Sequence, residues 1–228
     1  MSELTHFKIY GERCSGTCLL EDTILKNFDV TYYLEWSKYG HKHFFGSIDF
    51  SDSDNTLFIC IIRDPINWLN SFYRTPHCLS HEMSNDPEKF LTQEVISWEQ
   101  NPDKITGLRG RLIQHSKVKT EYNPFNGEIY KNIFELRHIK NKWMIEELPK
   151  LVKHHIFIRY EDLVNDFENT MQKICDKGLK PKESKFVQID PKKPVRSWMK
   201  IKPCDTLKIN KEDIPEEYLE YEKKLGYI

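Results

Sequence analysis

Apolar residues along the N-terminal part of the chain alternate between strand-like and helix-like patterns. The run HFKIYG, residues 6–11, predicts a first strand, and the helical spacing of apolar residues from Leu19 to Phe28 predicts a helix after it. The run TLFICII, residues 56–62, is continuous and rich in β-branched and aromatic residues, as in a strand buried on both faces. Pro65 is suited to begin the next helix. The pattern therefore predicts strand–loop–helix units.

The rest of the chain continues this alternation around one polar interruption. NDPEKFLTQEVISWEQN predicts a helix from about Pro87, and residues 101–127 form a polar, glycine-containing insertion. EIYKNIFELRHIKNKWMIEELPKLV predicts a long amphipathic helix, HHIFIRY a third strand, and DFENTMQKICDKG a helix that ends at Gly178. Residues 180–212 predict mostly loop, and IPEEYLEYEKKLGY predicts a C-terminal helix.

Strands that alternate with helices predict an α/β fold, with a parallel sheet flanked by helices on both faces. In such sheets ligands bind beyond the carboxyl ends of the strands. We therefore expect the loops after Tyr10, Ile62 and Arg159 to meet at one site.

Composition restricts the functional class. The chain has 228 residues, 39% of them hydrophobic and 30% charged, with a net charge of −1. This balance disfavours a nucleic-acid-binding surface over the whole molecule. Neither an apolar run long enough for a membrane span nor a signal-peptide pattern is present, so we expect a cytoplasmic protein.

The cysteine and histidine pattern predicts neither a disulfide framework nor a metal site. The six cysteines form no C-x-x-C pair. His77, Cys78 and His81 are potential ligands, as are Cys14 and Cys18, but their spacing is not that of a structural zinc site. We expect no bound metal.

The segment between the first strand and the first helix has the glycine spacing of a phosphate-binding loop. Gly11 and Gly16 match the glycines of G-x-x-x-x-G-K-[ST], but Thr17 occupies the lysine position. Glycines let backbone N–H groups turn toward an anion, and a helix N-terminus adds partial positive charge. The predicted anion-binding residues are Arg13, Cys14, Ser15, Gly16, Thr17 and Cys18. The alternative is an ordinary turn in which Ser15 caps the helix.

The second loop, IIRDPINWLNSFY, offers a receptor for another phosphate group. Arg63 ends the buried strand, and Ser71 lies about two helical turns further on, where its hydroxyl can point back to the same sheet edge. In the alternative interpretation, Arg63 pairs with Asp64 or caps a helix, and Ser71 is merely exposed.

Together these loops resemble the two signatures of the sulfotransferases that use 3′-phosphoadenosine 5′-phosphosulfate (PAPS). RCSGTCLL and IIRDPINWLNSFY stand in that family's order, and FIRYEDLVNDF and YEKKLGY are similar to its later segments. The resemblance implies one domain over residues 1–228 with a P-loop-like three-layer α/β/α fold. It also implies that the first loop holds the 5′-phosphosulfate and that Arg63 and Ser71 hold the 3′-phosphate, without a metal.

The chain departs from that family at Cys14, where many members have a lysine or arginine that contacts the transferring sulfuryl group. We expect Arg13 or Lys42 to supply this cation and His43, in YGHKHFFG, to act as the base. The alternative for residues 39–46 is a solvated surface loop. Cys14 as a covalent nucleophile is a further alternative, although direct in-line transfer needs no covalent step.

Three other segments carry weaker expectations. Arg137, Lys140 and Asn141 predict either an anion-binding helix face or a solvated one. The resemblance implies that a late basic loop closes the donor site, with Arg196 and Trp198 as the candidates. The carboxylates of Glu161 and Asp162 predict a structural role, in which they cap the turn and helix after the third strand and pair with Arg159.

The predicted activity is transfer of a sulfuryl group from PAPS to a hydroxyl or amine of a small-molecule or glycan acceptor. Two alternatives stay open: a nucleotide- or glycan-binding relative without catalysis, suggested by Cys14, and a P-loop nucleotide kinase or NTPase, disfavoured by Thr17. Neither the acceptor nor the oligomeric state can be inferred from the residues.

Overall fold

The computed structural model describes most of the chain as two compact units. The described residues are 3–33, 38–43, 49–76, 78–80, 83, 85–99, 119–191 and 206–228. One unit comprises residues 1–64 and 140–195, and the other comprises residues 65–139 and 196–228. The single domain over residues 1–228 stays a prediction.

The chain order of strands and helices follows the predicted alternation. The strands are β1 (His6–Tyr10), β2 (Thr31–Tyr32), β3 (Thr56–Ile62), β4 (Trp98–Glu99), β5 (Lys119–Thr120) and β6 (His155–Arg159). The α-helices are α1 (Thr17–Asn27), α2 (Pro65–Arg74), α3 (Pro87–Thr92), α4 (Ile133–Lys142), α5 (Leu148–Leu151), α6 (Tyr160–Asn165), α7 (Phe167–Asp176) and α8 (Glu220–Lys224). A π-helix, Trp143–Glu147, joins α4 to α5, and two 3₁₀ turns, Lys211–Asp213 and Glu216–Tyr218, precede α8.

The first unit contains a four-stranded, all-parallel sheet in the order β2-β1-β3-β6. The register pairs Tyr10 with Cys60 and Ile62 with Arg159, so β1, β3 and β6 end at the same edge. The α/β class and the parallel sheet flanked by helices are therefore confirmed. β2 was not predicted, because a strand of two residues is too short to show a period.

Alternate residues of the strands face two different layers. Phe7, Ile59 and Ile158 belong to a core that also contains the apolar faces of α1 and α7. On the other face, the ring of Tyr10 meets Trp143 of the π-helix with centroids 5.3 Å apart, and Phe58 packs on Tyr39. Every residue of β3 is buried, as a central strand with both faces covered requires.

In the second unit, the helix predicted from Pro87 is shorter than expected. The carboxylate of Asp86 caps α3 by accepting bonds from Glu88 N and Lys89 N, but α3 ends at Thr92. The N–H of Val95 then donates to the carbonyl of Tyr130, and β4 pairs antiparallel with β5. Pairing with residues distant in the chain outweighs the local helical pattern here.

In the described parts of the chain, no helix has the length and apolar character that crossing a bilayer would require.

Candidate functional site

The loops after β1, β3 and β6 meet at the carboxyl edge of the sheet, as predicted. Arg63, at the end of β3, donates from Nη1 to the carbonyl of Cys14 at 3.2 Å, and its guanidinium lies 4.4 Å from the centroid of the Tyr160 ring. The backbone N–H of Asp64 donates to Oε1 of Glu161 at 2.9 Å. Glu161 thus has a structural role through this bond to the loop after β3, whereas its predicted pairing with Arg159 stays a prediction.

The two glycines of the first loop are required for different reasons. A Cβ at Gly11 would lie 2.7 Å from the carbonyl oxygen of Ile61, so the loop passes against the backbone of β3. Gly16 is the N-cap of α1 with φ +95°, and a Cβ there would lie 2.4 Å from Cδ2 of Tyr160. Because Gly16 has no side chain, it leaves the first N–H groups of α1 available to an anion. The alternative in which Ser15 is the N-cap is therefore wrong.

The predicted anion-binding residues 13–18 lie together on this loop and the first turn of α1. Ser15 is buried, and its N–H closes a turn on the carbonyl of Glu12 at 3.1 Å. Cys14 is half-buried with φ +63°, a left-handed conformation that is unusual for a residue with a side chain. Thr17 and Cys18 begin α1.

Arg13 points into the protein rather than outward. Its side chain is 1% exposed, and its Nε donates to Oε1 of Glu12 at 2.6 Å. The other carboxylate oxygen of Glu12 accepts a bond from Nζ of Lys140. Burial alone would raise the pKa of Glu12, but the charges and hydrogen bonds of Arg13 and Lys140 hold that pKa below its ordinary value.

Lys42 lies closer to the N-terminus of α1. Its Nζ is 3.6 Å from Sγ of Cys18 and 3.3 Å from Oε2 of Glu21, and its side chain is 3% exposed. The backbone N–H of Gly11 donates to the carbonyl of Lys42 at 3.0 Å, which fixes the segment on the loop. For residues 41–43, the alternative of a solvated surface loop is wrong, because all three are buried.

His43 lies against the start of the loop between β1 and α1. Its Nδ1 is 2.6 Å from the carbonyl oxygen of Gly11, and its backbone N–H donates to Nδ1 of His41 at 3.1 Å. Burial lowers the pKa of His43 well below its ordinary value, and the nearby His41 and Lys42 lower it further. The ring is therefore neutral near pH 7, which is the state a general base needs.

The remaining predicted site residues are Ser71, Arg196 and Trp198. Ser71 is half-buried on α2, in the second unit, whereas Arg63 belongs to the first. Arg196 and Trp198 lie outside the described residues, as do His77 and His81. The described part of the chain contains no group of three or more His, Cys, Asp or Glu side chains arranged to hold a metal.

The basic face predicted on α4 is buried and paired with carboxylates. Arg137 donates from Nε and Nη2 to the two carboxylate oxygens of Glu222, at 2.6 and 2.9 Å, and stacks on Trp68. Lys140 is fully buried against Glu12. Arg137 and Lys140 thus form internal ion pairs, and neither interpretation of this face, anion-binding or solvated, is correct.

A cleft of about 610 Å³ lies at the other end of the sheet. Its lining comes from residues 49–54, which precede β3, and residues 150–153, which precede β6. Ligands of open parallel sheets bind beyond the carboxyl ends of the strands, so we place the candidate site at the loop edge despite this cleft.

Comparisons of the chain with protein-family models, curated proteins and solved structures gave no significant match.

Proposed function

We propose that the protein is a PAPS-dependent sulfotransferase that transfers a sulfuryl group to a hydroxyl or amine of a small-molecule or glycan acceptor. The observation that carries the proposal is the contact of Arg63 with the loop that leads into α1. Its guanidinium bonds the carbonyl of Cys14, next to a helix N-terminus whose N-cap is a glycine. A guanidinium beside the N–H groups of a helix N-terminus suits a phosphate-bearing ligand.

The residues of this edge match what such a donor requires. The N–H groups of the loop and of α1 would hold the 5′-phosphosulfate, and Arg63 would hold the 3′-phosphate. Ser71 stays a second candidate for the 3′-phosphate from the sequence alone. PAPS supplies an activated sulfuryl group, so the protein has only to orient the acceptor, accept its proton and stabilise developing charge. No triphosphate is handled, which accounts for Thr17 in the lysine position.

Of the two candidate cations, Lys42 suits the role better than Arg13. The Nζ of Lys42 lies 3.6 Å from Sγ of Cys18 in the first turn of α1, and its contact with Glu21, at 3.3 Å, is longer than the 2.6 Å bond from Nε of Arg13 to Glu12. His43 is the candidate base, because its buried ring is neutral at physiological pH.

Calorimetric binding with and without the 3′-phosphate tests the donor site. We expect adenosine 3′,5′-bisphosphate to bind in the presence of EDTA. Arg63→Ala should weaken that binding by about 1.5–3 kcal/mol and Ser71→Ala by about 0.5–1.5 kcal/mol, because a hydrogen bond to a charged donor is worth more than a neutral one.

Adenosine 5′-monophosphate is the matched control ligand, because it lacks only the 3′-phosphate. Arg63→Ala should weaken its binding much less than that of the bisphosphate. Equal losses for both ligands would refute the assignment of Arg63 to the 3′-phosphate. Binding of Mg-ATP alone would instead favour a nucleotide kinase or NTPase.

Single-turnover transfer from ³⁵S-labelled PAPS to a panel of phenols, sugars and amines tests the chemistry. Lys42→Met should lower kcat by roughly 10²–10³, the scale for one preorganised donor, with little change in donor affinity. His43→Ala should lower kcat by about 10²–10⁴. Arg13→Ala serves as the comparison for the cation role.

A donor-binding relative without catalysis is the second candidate, favoured by the burial of Arg13 next to Cys14. Bisphosphate binding without transfer to any member of the panel would support it. Cys14→Lys, which restores a cation at the usual position, should then produce measurable transfer.

A further inference from the structure

A buried charge cluster joins the phosphate loop to the segment that carries His43. Glu12, Arg13 and Lys140 are each at most 4% exposed. Glu12 accepts hydrogen bonds from the backbone and Nε of Arg13 and from Nζ of Lys140. Lys140 also donates to the backbone carbonyl of His43 at 2.8 Å. One ammonium group on α4 therefore bonds both segments.

This arrangement determines the tautomer of His43. A carbonyl oxygen can only accept a hydrogen bond, so the 2.6 Å contact with the carbonyl of Gly11 requires a proton on Nδ1. In the neutral ring, the lone pair then lies on Nε2. Lys140 donates to the backbone carbonyl of His43, and it also bonds Glu12, the residue after Gly11. The ammonium group of Lys140 therefore holds both residues of the His43–Gly11 contact.

The buried charges of Lys140 and Glu12 stabilise each other. A fully buried ammonium without a carboxylate, or the carboxylate without its cations, carries a large desolvation cost. The low pKa of Glu12 keeps its carboxylate ionised at neutral pH, so this tie between the two segments persists over the physiological range.

We propose that Lys140 and Glu12 are positioning residues that hold His43 in the Nδ1–H tautomer, with Nε2 as the atom that accepts a proton. The catalytic consequence rests on the sulfotransferase function proposed above. In that reaction the acceptor O–H or N–H bond breaks and its proton moves to Nε2. The acceptor atom bonds to sulfur as the bond from sulfur to the bridging phosphate oxygen breaks, and its electron pair stays on the phosphate.

Several charged and titratable groups face His43. His41 and Lys42 lie on its own segment, Arg13 and Glu12 on the phosphate loop, and Lys140 on α4. Removing Lys140 loosens the segment and admits water, which favours the charged ring. The pKa of His43 should then rise toward its ordinary value, and the Nε2–H tautomer should become populated.

Imidazole ¹⁵N NMR of the free protein tests this without any substrate. The His43 signals are assigned by their loss in His43→Gln. We expect wild-type His43 to show a protonated Nδ1 and to stay neutral well below pH 6.5, a typical histidine pKa. In Lys140→Met, its titration should move to higher pH and the tautomers should mix. Lys140→Met leaves Glu12 paired with Arg13. The triple variant Lys140→Met/Glu12→Gln/Arg13→Met replaces all three charges of the cluster by neutral groups, so the test remains if the single variant does not fold.

Arg137→Met is the matched control, because it breaks another buried ion pair on α4, to Glu222. It should leave the tautomer and titration of His43 unchanged. The proposal is overturned if Lys140→Met and the triple variant leave the tautomer and titration of His43 unchanged, or if Arg137→Met changes them equally, since general loosening would then explain the effect.

The pH profile of single-turnover transfer links the positioning to catalysis. In Lys140→Met, kcat should fall by about 10-fold or more, less than the 10²–10⁴ expected on removing the base, and the acidic limb should move to higher pH. A fall in kcat with an unmoved limb would overturn the positioning role. If NMR gives the expected shifts but wild type transfers no sulfuryl group, the proposed function fails and the positioning of His43 stands.

Discussion

Cys14 and Gly16 both adopt positive φ angles in the phosphate loop, but only Gly16 is also confined by a neighbouring side chain. Its hypothetical Cβ would meet the ring of Tyr160, whereas Cys14 already accommodates a side chain. Tyr160 thus packs against the N-cap of α1 and also stacks under Arg63. No local pattern predicts this contact, because Tyr160 lies 144 residues beyond Gly16.

Replacing Gly16 by alanine should destabilise the protein more than replacing Gly127. Both glycines have positive φ, at 95° and 76°, but nothing lies within 4 Å of a Cβ at Gly127. Gly127→Ala should cost about 1–2 kcal/mol for the left-handed backbone alone. Gly16→Ala should cost about 1–3 kcal/mol more, because the methyl group meets the Tyr160 ring. Urea unfolding measures both losses of stability. Equal losses would show that the Tyr160 ring moves aside without cost.

The same substitution should also affect the candidate site. Moving the Tyr160 ring disturbs the guanidinium of Arg63, so Gly16→Ala should weaken adenosine 3′,5′-bisphosphate binding, whereas Gly127→Ala should not. Unchanged affinity in folded Gly16→Ala would contradict the role of Tyr160 in placing Arg63.

Among the strands and helices, the predictions succeed where apolar runs are long and fail where contacts between residues distant in the chain determine the structure. β3 follows from its continuous apolar run, because a central parallel strand is buried on both faces. β1, β6 and α1 follow from the apolar patterns of their own residues. The long helix predicted from Pro87 fails because Val95 bonds Tyr130, which the local period cannot show. Likewise, the local pattern predicts a basic helix face at Lys140 and Arg137. It cannot show their carboxylate partners, because these lie 128 and 85 residues away in the chain.

The contact between Glu161 and Asp64 should support the loop edge. Glu161, on α6, accepts the N–H of the residue that follows Arg63. Glu161→Ala should lower the free energy of unfolding by about 1.5–3 kcal/mol, the range for a hydrogen bond to a charged group, and should weaken bisphosphate binding. Glu161→Gln keeps an acceptor oxygen but loses the charge, so it should lose less of both than Glu161→Ala, since a neutral hydrogen bond is still worth about 0.5–1.5 kcal/mol. Equal losses in the two variants would mean that the charge, and not this hydrogen bond, matters.

At the scale of the whole molecule, the sequence predicted where the loops meet but not how their charges are neutralised. The parallel order of β1, β3 and β6 follows from chain connectivity, and it alone brings Arg63 to the phosphate loop. The ion pairs of Arg13 and Lys140 with Glu12 and of Lys42 with Glu21 require the folded coordinates. A basic residue in a motif is therefore insufficient evidence that its charge faces a ligand.

The buried neutral state of His43 should make the stability of the whole protein depend on pH in a defined direction. The pKa of His43 is lower in the folded chain than its ordinary value of about 6.5, so below that pH the unfolded state binds more protons. This contribution to stability is fully present above about pH 6.5 and is lost as the pH falls toward the folded pKa, with a slope of up to about 1.4 kcal/mol per pH unit. His154 and His155, whose pKa values burial also lowers, act in the same direction.

His43→Gln removes only the contribution of His43 and keeps an amide that can donate to the carbonyl of Gly11. Urea unfolding between about pH 7.5 and 5.5 should therefore show a smaller loss of stability for His43→Gln than for wild type, because His154 and His155 are common to both. Parallel curves would mean that His43 is solvated and titrates as it does in the unfolded chain, which would contradict its burial against the phosphate loop.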